Sequence, residues 1–116
     1  MASPEPIGSL QEPVTDIDNV PDINYHTITK SASILRALNH KLRQQVIKTI
    51  YENEIITVTQ LYVKLRLEQS VASQHLAILR RAGIVSTERV GKNIFYSINH
   101  PRIEAINEFV QDLMKY

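Results

Sequence analysis

Between Ser70 and Asn99 the spacing of apolar and polar positions changes period once, and the rest of the chain is arranged around that change. On a 3.6-residue period Ala72, Leu76, Leu79 and Gly83 fall on one side, with Val71, Ile78 and Ala82 on its margins. That is the core-facing stripe of an amphipathic helix. The opposite side carries Ser70, Ser73, Gln74, Ala77, Arg80 and Arg81. After Gly83, which stops the helix, Ile84–Arg89 and Ile94–Asn99 alternate or run β-branched around Val90-Gly91-Lys92-Asn93, the signature of a hairpin. The pattern predicts a helix over 70–82 and a wing-like projection over 89–94.

Upstream, helical spacing begins near Thr27, with Ile28, Ala32, Leu35 and Leu38 on one stripe, and breaks at Asn39-His40, either of which suits an N-cap. The next helix, His40–Asn53, places Leu42, Val46, Ile47 and Ile50 together. A short third helix follows Thr57, with Val58, Leu61 and Leu65 inward, and Leu67–Gln69 turns tightly into the Ser70 helix. Downstream, His100-Pro101 opens a last helix that runs nearly to Tyr116, since proline is tolerated in a first turn. The predicted fold is mainly α (α+β): a winged helix-turn-helix of about five helices with a two-stranded β-hairpin wing.

The polar side of the 70–82 helix points to a partner. Short hydrogen-bonding side chains at its start and cations at its end are unusual on a merely solvated face, where Glu and Lys are commoner. In a DNA major groove Ser and Gln reach base edges while Arg meets phosphate. The expected reading residues are therefore Gln69, Ser70, Val71, Ser73, Gln74, Ala77 and Arg81, with Lys64, Arg66, Arg80, Arg89, Lys92 and Asn93 on the backbone or in the minor groove. An ordinary amphipathic helix with an incidental hairpin is the plainer alternative. A protein-interaction module is another, but it would favour apolar or acidic residues on this face and no basic wing.

Charge adds to this only once the chain is divided. Net charge is +1, yet the first 24 residues hold five acids, Glu5, Glu12, Asp16, Asp18 and Asp22, and no Lys or Arg. The remainder holds all 13 cations against seven acids, a net of +6, which suits a polyanionic partner. Residues 1–24, with four of the five prolines, are expected to form a mostly irregular acidic arm, and 25–116 a DNA-binding and dimerisation domain. Cysteine is absent, which excludes disulfides and thiol chemistry, and no stretch approaches the ~20 apolar residues of a membrane span. No Gly-rich phosphate loop or nucleophile–base pairing supports an enzyme. The expected setting is the cytoplasm, with no membrane partner and no cofactor.

The last helix carries more apolar residues than one small domain needs to cover. Ile106, Phe109, Val110 and Leu113, with Ile28 and Leu35 of the first helix, are expected to bury a homodimer interface. A two-fold dimer would place two reading helices on successive turns of double-stranded DNA, roughly 34–36 Å apart.

From Leu35 onward, about two-thirds of the chain resembles the ArsR/SmtB family of winged-helix repressors. The matching runs are Ala37-Leu38-Asn39-His40-Lys41-Leu42-Arg43, Thr57-Val58-Thr59-Gln60-Leu61, Leu67 through Leu76, Leu79, Ala82-Gly83-Ile84-Val85, and Gly91 through Phe95-Tyr96. Lys41 and Leu42 replace the family's usual proline and threonine. The resemblance implies a homodimeric repressor released from its operator by an effector. It also implies where metal sensors of the family keep their ligands, and those positions here are Thr57, His100, Arg102, Leu113 and Tyr116. Of these only His100 suits zinc, which needs at least three donors. No metal site is expected; a small-molecule or protein effector takes its place in the expectation.

Overall fold

A computed structural model describes residues 22–115, so most of the expected 1–24 arm and Tyr116 at the end of the expected last helix lie outside the described residues. Five helices and three strands follow in the order α1 Tyr25–Leu38, α2 Lys41–Asn53, β1 Ile56–Thr57, α3 Val58–Leu65, α4 Gln69–Arg81, β2 Val85–Val90, β3 Asn93–Ile98 and α5 His100–Leu113. Contacts divide the chain inside α1, between Ser33 and Ile34, and the packing below is that of Ile34 onward.

Three of the helices begin on a side-chain cap that the sequence offers. His40 is the one that caps α2, its Nδ1 accepting from the N–H groups of Leu42 at 3.2 Å and Arg43 at 3.4 Å. Thr57 and Gln60 form a reciprocal capping box on α3, with Gln60 N–H donating to Thr57 Oγ1 at 3.2 Å and Thr57 N–H to Gln60 Oε1 at 3.0 Å. Asn99 caps α5, whose first turn contains Pro101. Arg66 ends α3 in the left-handed region, and Ala82-Gly83, with Gly83 at φ +78°, ends α4.

The core is built from Val46 and Ile50 of α2, Ile56, Leu61, Ala72, Leu76, Leu79, Ile84 and Val85, closed by Ala37 of α1. Ile50, Leu61, Leu76, Leu79 and Ile84 are fully buried, each stabilising the fold by about 1.5–3 kcal/mol. The α4 stripe is the one its spacing predicts. On α1, Ile34, Ala37 and Leu38 meet the core, whereas Ile28 and Ala32 of the expected stripe are exposed.

The hairpin pairs Val85–Val90 with Asn93–Ile98 in antiparallel register, from Val85↔Ile98 to Val90↔Asn93. Its two-residue turn, Gly91-Lys92, has positive φ at Gly91 alone among the two, the pattern of a type II′ turn. A short strand that the alternation does not predict joins it: Ile56 pairs with Tyr96 and Thr57 with Phe95, giving a three-stranded sheet ordered β1-β3-β2. Among the described residues no helix is long and apolar enough to cross a membrane.

Candidate nucleic-acid interface

The outer side of α4 is held in place from within. Ala72, Leu76 and Leu79 are buried, which leaves Gln69, Ser70, Ser73, Gln74, Ala77, Arg80 and Arg81 exposed and Val71 half-buried at the edge. All the side chains expected to read bases thus share one accessible surface, except that Val71 sits at its margin. The C-terminal end of α4 is tied to the segment that follows the hairpin. At the C-terminal end Arg102 of α5 donates from Nε and Nη2 to the Ala82 carbonyl at 3.2 and 3.0 Å, and Asn99 Nδ2 donates to the Gly83 carbonyl at 3.0 Å. These bonds satisfy carbonyls that a helix end leaves without partners.

On the inner margin, half-buried His75 meets a group absent from the sequence-level expectation. Arg43, only 8% exposed, donates from Nε to the Ala37 carbonyl at 2.7 Å and from Nη2 to the Arg36 carbonyl at 3.2 Å, and its Nη1 lies 3.4 Å from His75 Nδ1. The His40 and His75 rings stand 5.2 Å apart, tilted by 49°. Burial first, then the positive charges of His40 and Arg43, hold the His75 imidazole below the ordinary value of 6.5. His75 therefore serves the frame that orients α4. No spacing signal marks Arg43, since a charged residue in an amphipathic helix is expected in water.

The basic residues flank this surface. Lys64 and Arg66 are exposed at the end of α3, and Arg89, Lys92 and Asn93 are exposed around the hairpin turn. The ion pair among the described residues joins Asp112 and Lys115, so none of Lys64, Arg66, Arg80, Arg81, Arg89 or Lys92 is paired with a described acid. Their charges are left for a polyanion. Between α4 and β3 lies an open cleft of about 340 Å³ lined by Ser73, Ala77, Arg80, Arg81 and Tyr96. Tyr96 was not among the expected site residues. Its place follows from strand alternation, since Ile94, Tyr96 and Ile98 share the face that also carries Val85 and Arg89.

Among the described residues no three of His, Cys, Asp or Glu gather closely enough to hold a metal ion. His100 stands edge-on to Tyr51 with ring centres 6.1 Å apart, and Arg102 is engaged with Ala82. Phe109 and Leu113 on α5 are 47% and 60% exposed, Val110 is half-buried, and Ile106 packs on the core; on α1, Ile28 is exposed and Leu35 half-buried.

Residues 40–87 match the profile described as bacterial regulatory protein, arsR family. The chain is 34% identical over 84 residues to the transcriptional repressor PagR of Bacillus anthracis, covering 72% of this chain and 84% of PagR. It is likewise 34% identical over 84 residues to the transcriptional activator HlyU of Vibrio cholerae, covering 72% of this chain and 77% of HlyU. The crystal structure of PagR superposes with a TM-score of 0.60 at 32% identity, covering 75% of this chain and 99% of that one. An ArsR-like transcriptional regulator from Rhodococcus sp. RHA1 shares the fold with a TM-score of 0.68 at 19% identity, over 76% of this chain and 82% of that one.

Proposed function

The chain belongs to the ArsR family of bacterial regulatory proteins and is a DNA-binding transcriptional regulator, and from that premise we propose that it works as a homodimeric repressor reading a palindromic operator. The observation that carries the proposal is the outward side of α4, polar at its start and basic at its end, beside a hairpin with a basic turn. In this reading Ser70, Ser73, Gln74 and Ala77 meet base edges with Gln69, Val71 and Arg81 beside them. Lys64, Arg66, Arg80, Arg89, Lys92 and Asn93 hold phosphates or the minor groove. The two helices that frame the chain, α1 and α5, supply the dimer surface through Ile28, Leu35, Phe109, Val110 and Leu113. What supports this is the exposure of Ile28, Phe109 and Leu113, large apolar side chains that a partner copy would cover. Repression is supported by the likeness to PagR, whereas HlyU is a named activator.

The proposed release signal is a small molecule or a protein rather than a metal. Support comes from the lack of cysteine, from Arg102 being bonded to Ala82, and from the lack of a metal-ligating cluster among the described residues. Such a regulator acts in the cytoplasm, where the genes are.

Selection from a random duplex library by the purified protein tests the reading. The expected product is an inverted repeat whose half-sites lie about 10–10.5 bp apart, centre to centre, or a multiple of that distance. Enrichment of unrelated sequences, with binding to all duplexes equally tight, would overturn it.

A further inference from the structure

The cleft between α4 and β3 gathers Ser73, Ala77, Arg80 and Arg81, which the proposed reading already uses, around Tyr96, which it leaves unused. It is lined by two guanidinium side chains, Arg80 and Arg81, one hydroxyl, Ser73, and the phenol-bearing Tyr96, with Ala77 leaving room between them. Arginine donors with neighbouring hydroxyls are suited to a phosphate oxyanion, and among the described residues neither arginine is in an ion pair. Tyr96 belongs to the wing only by sequence. In space its backbone is paired on both sides, to Thr87 in β2 and to Ile56 in β1, and its ring packs against the core. Its position is therefore fixed by the sheet, unlike the side chains at the hairpin turn. No other described residue hydrogen-bonds its hydroxyl, which leaves that group for a partner.

We propose that Tyr96 is a DNA-contacting residue, and that it and Arg80 seat one phosphate of the DNA backbone in this cleft, beside the base-facing Ser73 and Arg81, where the strand leaves the recognition helix. The inference rests on the DNA reading above and extends it. The phosphate accepts from the Tyr96 hydroxyl and from Arg80, and because the sheet fixes Tyr96, this contact sets the depth of α4 in the groove. The third strand then has a use: β1 pairs with β3 at Tyr96 itself, making the phosphate seat more rigid than a free two-stranded hairpin would allow.

Tyr96→Phe removes the hydroxyl and keeps the packed ring, so the variant's unfolding transition should match that of the wild type. Its affinity for the selected operator and for random duplex should fall alike, by roughly tenfold or more, the share of a hydrogen bond to a charged group. Because no charge is removed, the dependence of log affinity on log salt should keep its slope, whereas Arg80→Gln should lower that slope by about 0.9 per subunit. Operators carrying one neutral methylphosphonate at successive backbone positions locate the seat. At one position per half-site the wild type should lose affinity and Tyr96→Phe should lose no more. Inorganic phosphate at matched ionic strength should compete no better than sulfate, since the seat is completed by the duplex. A Tyr96→Phe protein that binds both duplexes as the wild type does would overturn the proposal, as would one that loses only operator selectivity, which would make Tyr96 a base reader. Competition specific to inorganic phosphate would assign the cleft to a free anion instead. A wild-type protein that binds no duplex at all would overturn the DNA reading itself.

Discussion

Arg43 Nη1 lies 3.4 Å from His75 Nδ1, so the last turn of α1, the first turn of α2 and the inner margin of α4 meet at one guanidinium. A guanidinium only donates, so Nδ1 accepts and the imidazole carries its proton on Nε2. The same arginine closes two carbonyls at the end of α1. Arg43→Met keeps the apolar stem and strips all of these donors, leaving partly or wholly buried carbonyls unsatisfied. The expected loss is about 2–3 kcal/mol of stability, read from urea unfolding. Arg43→Lys should recover little of it, because a single ammonium cannot span Ala37, Arg36 and His75.

His75 should make stability fall in acid. Burial, then His40 and Arg43, place its folded pKa below 6.5, so an unfolded chain takes up the proton at a pH where the folded chain does not. Stability rises with pH wherever the unfolded state binds more protons. The His75 contribution is therefore constant above about pH 6.5, is lost as pH falls through that value, and levels off below the folded pKa. His75→Gln should narrow the difference in urea midpoint between about pH 7.5 and about pH 5. An unchanged difference would place the sensitivity elsewhere.

Two glycines with positive φ should respond differently to alanine. At Gly91, φ +63°, an added Cβ meets nothing within 4 Å, so Gly91→Ala carries only the backbone cost, about 1 kcal/mol. At Gly83, φ +78°, the Cβ would stand 3.1 Å from Arg102 Nε, the atom bonded to the Ala82 carbonyl. Gly83→Ala should therefore cost more, about 2–3 kcal/mol, in the same unfolding measurement.

The reading helix and the hairpin turn should separate in DNA binding. Gln74→Ala should lose about 1–3 kcal/mol on the selected operator and little on random duplex, as expected for a bidentate base contact. Lys92→Ala should weaken both and reduce the salt slope by about 0.9 per subunit. Fluorescence anisotropy across a salt series distinguishes the two patterns.

Leu113→Asp tests the dimer. Leu113 is 60% exposed in the single chain, so the charge should leave the monomer fold intact while opposing burial against a second copy. Sedimentation should show a lower mass at micromolar protein, with operator affinity falling in parallel. A wild-type monomer that binds an inverted repeat tightly would refute the interface.

Periodicity and capping chemistry act within a few residues, and what depends on them was legible in the chain itself. The inward stripe of Ala72, Leu76 and Leu79, the stop at Gly83, the Gly91-Lys92 turn and the exposed Ser73-Gln74-Arg81 side all follow from local spacing and from the few residues that tolerate each backbone conformation. The acidic start and basic remainder were equally plain, being sums over the sequence. Three features were decided only when separate segments met. β1 is two residues long, too short to show alternation, and exists because β3 offers it an edge. Arg43 is charged and lies in an amphipathic helix, so spacing alone would place it in water; the orphan carbonyls of α1 draw it inside. Tyr96 lines one cleft with Arg80 and Arg81 through strand register and helix packing, and a juxtaposition across 15 or 16 residues has no signature in a local pattern.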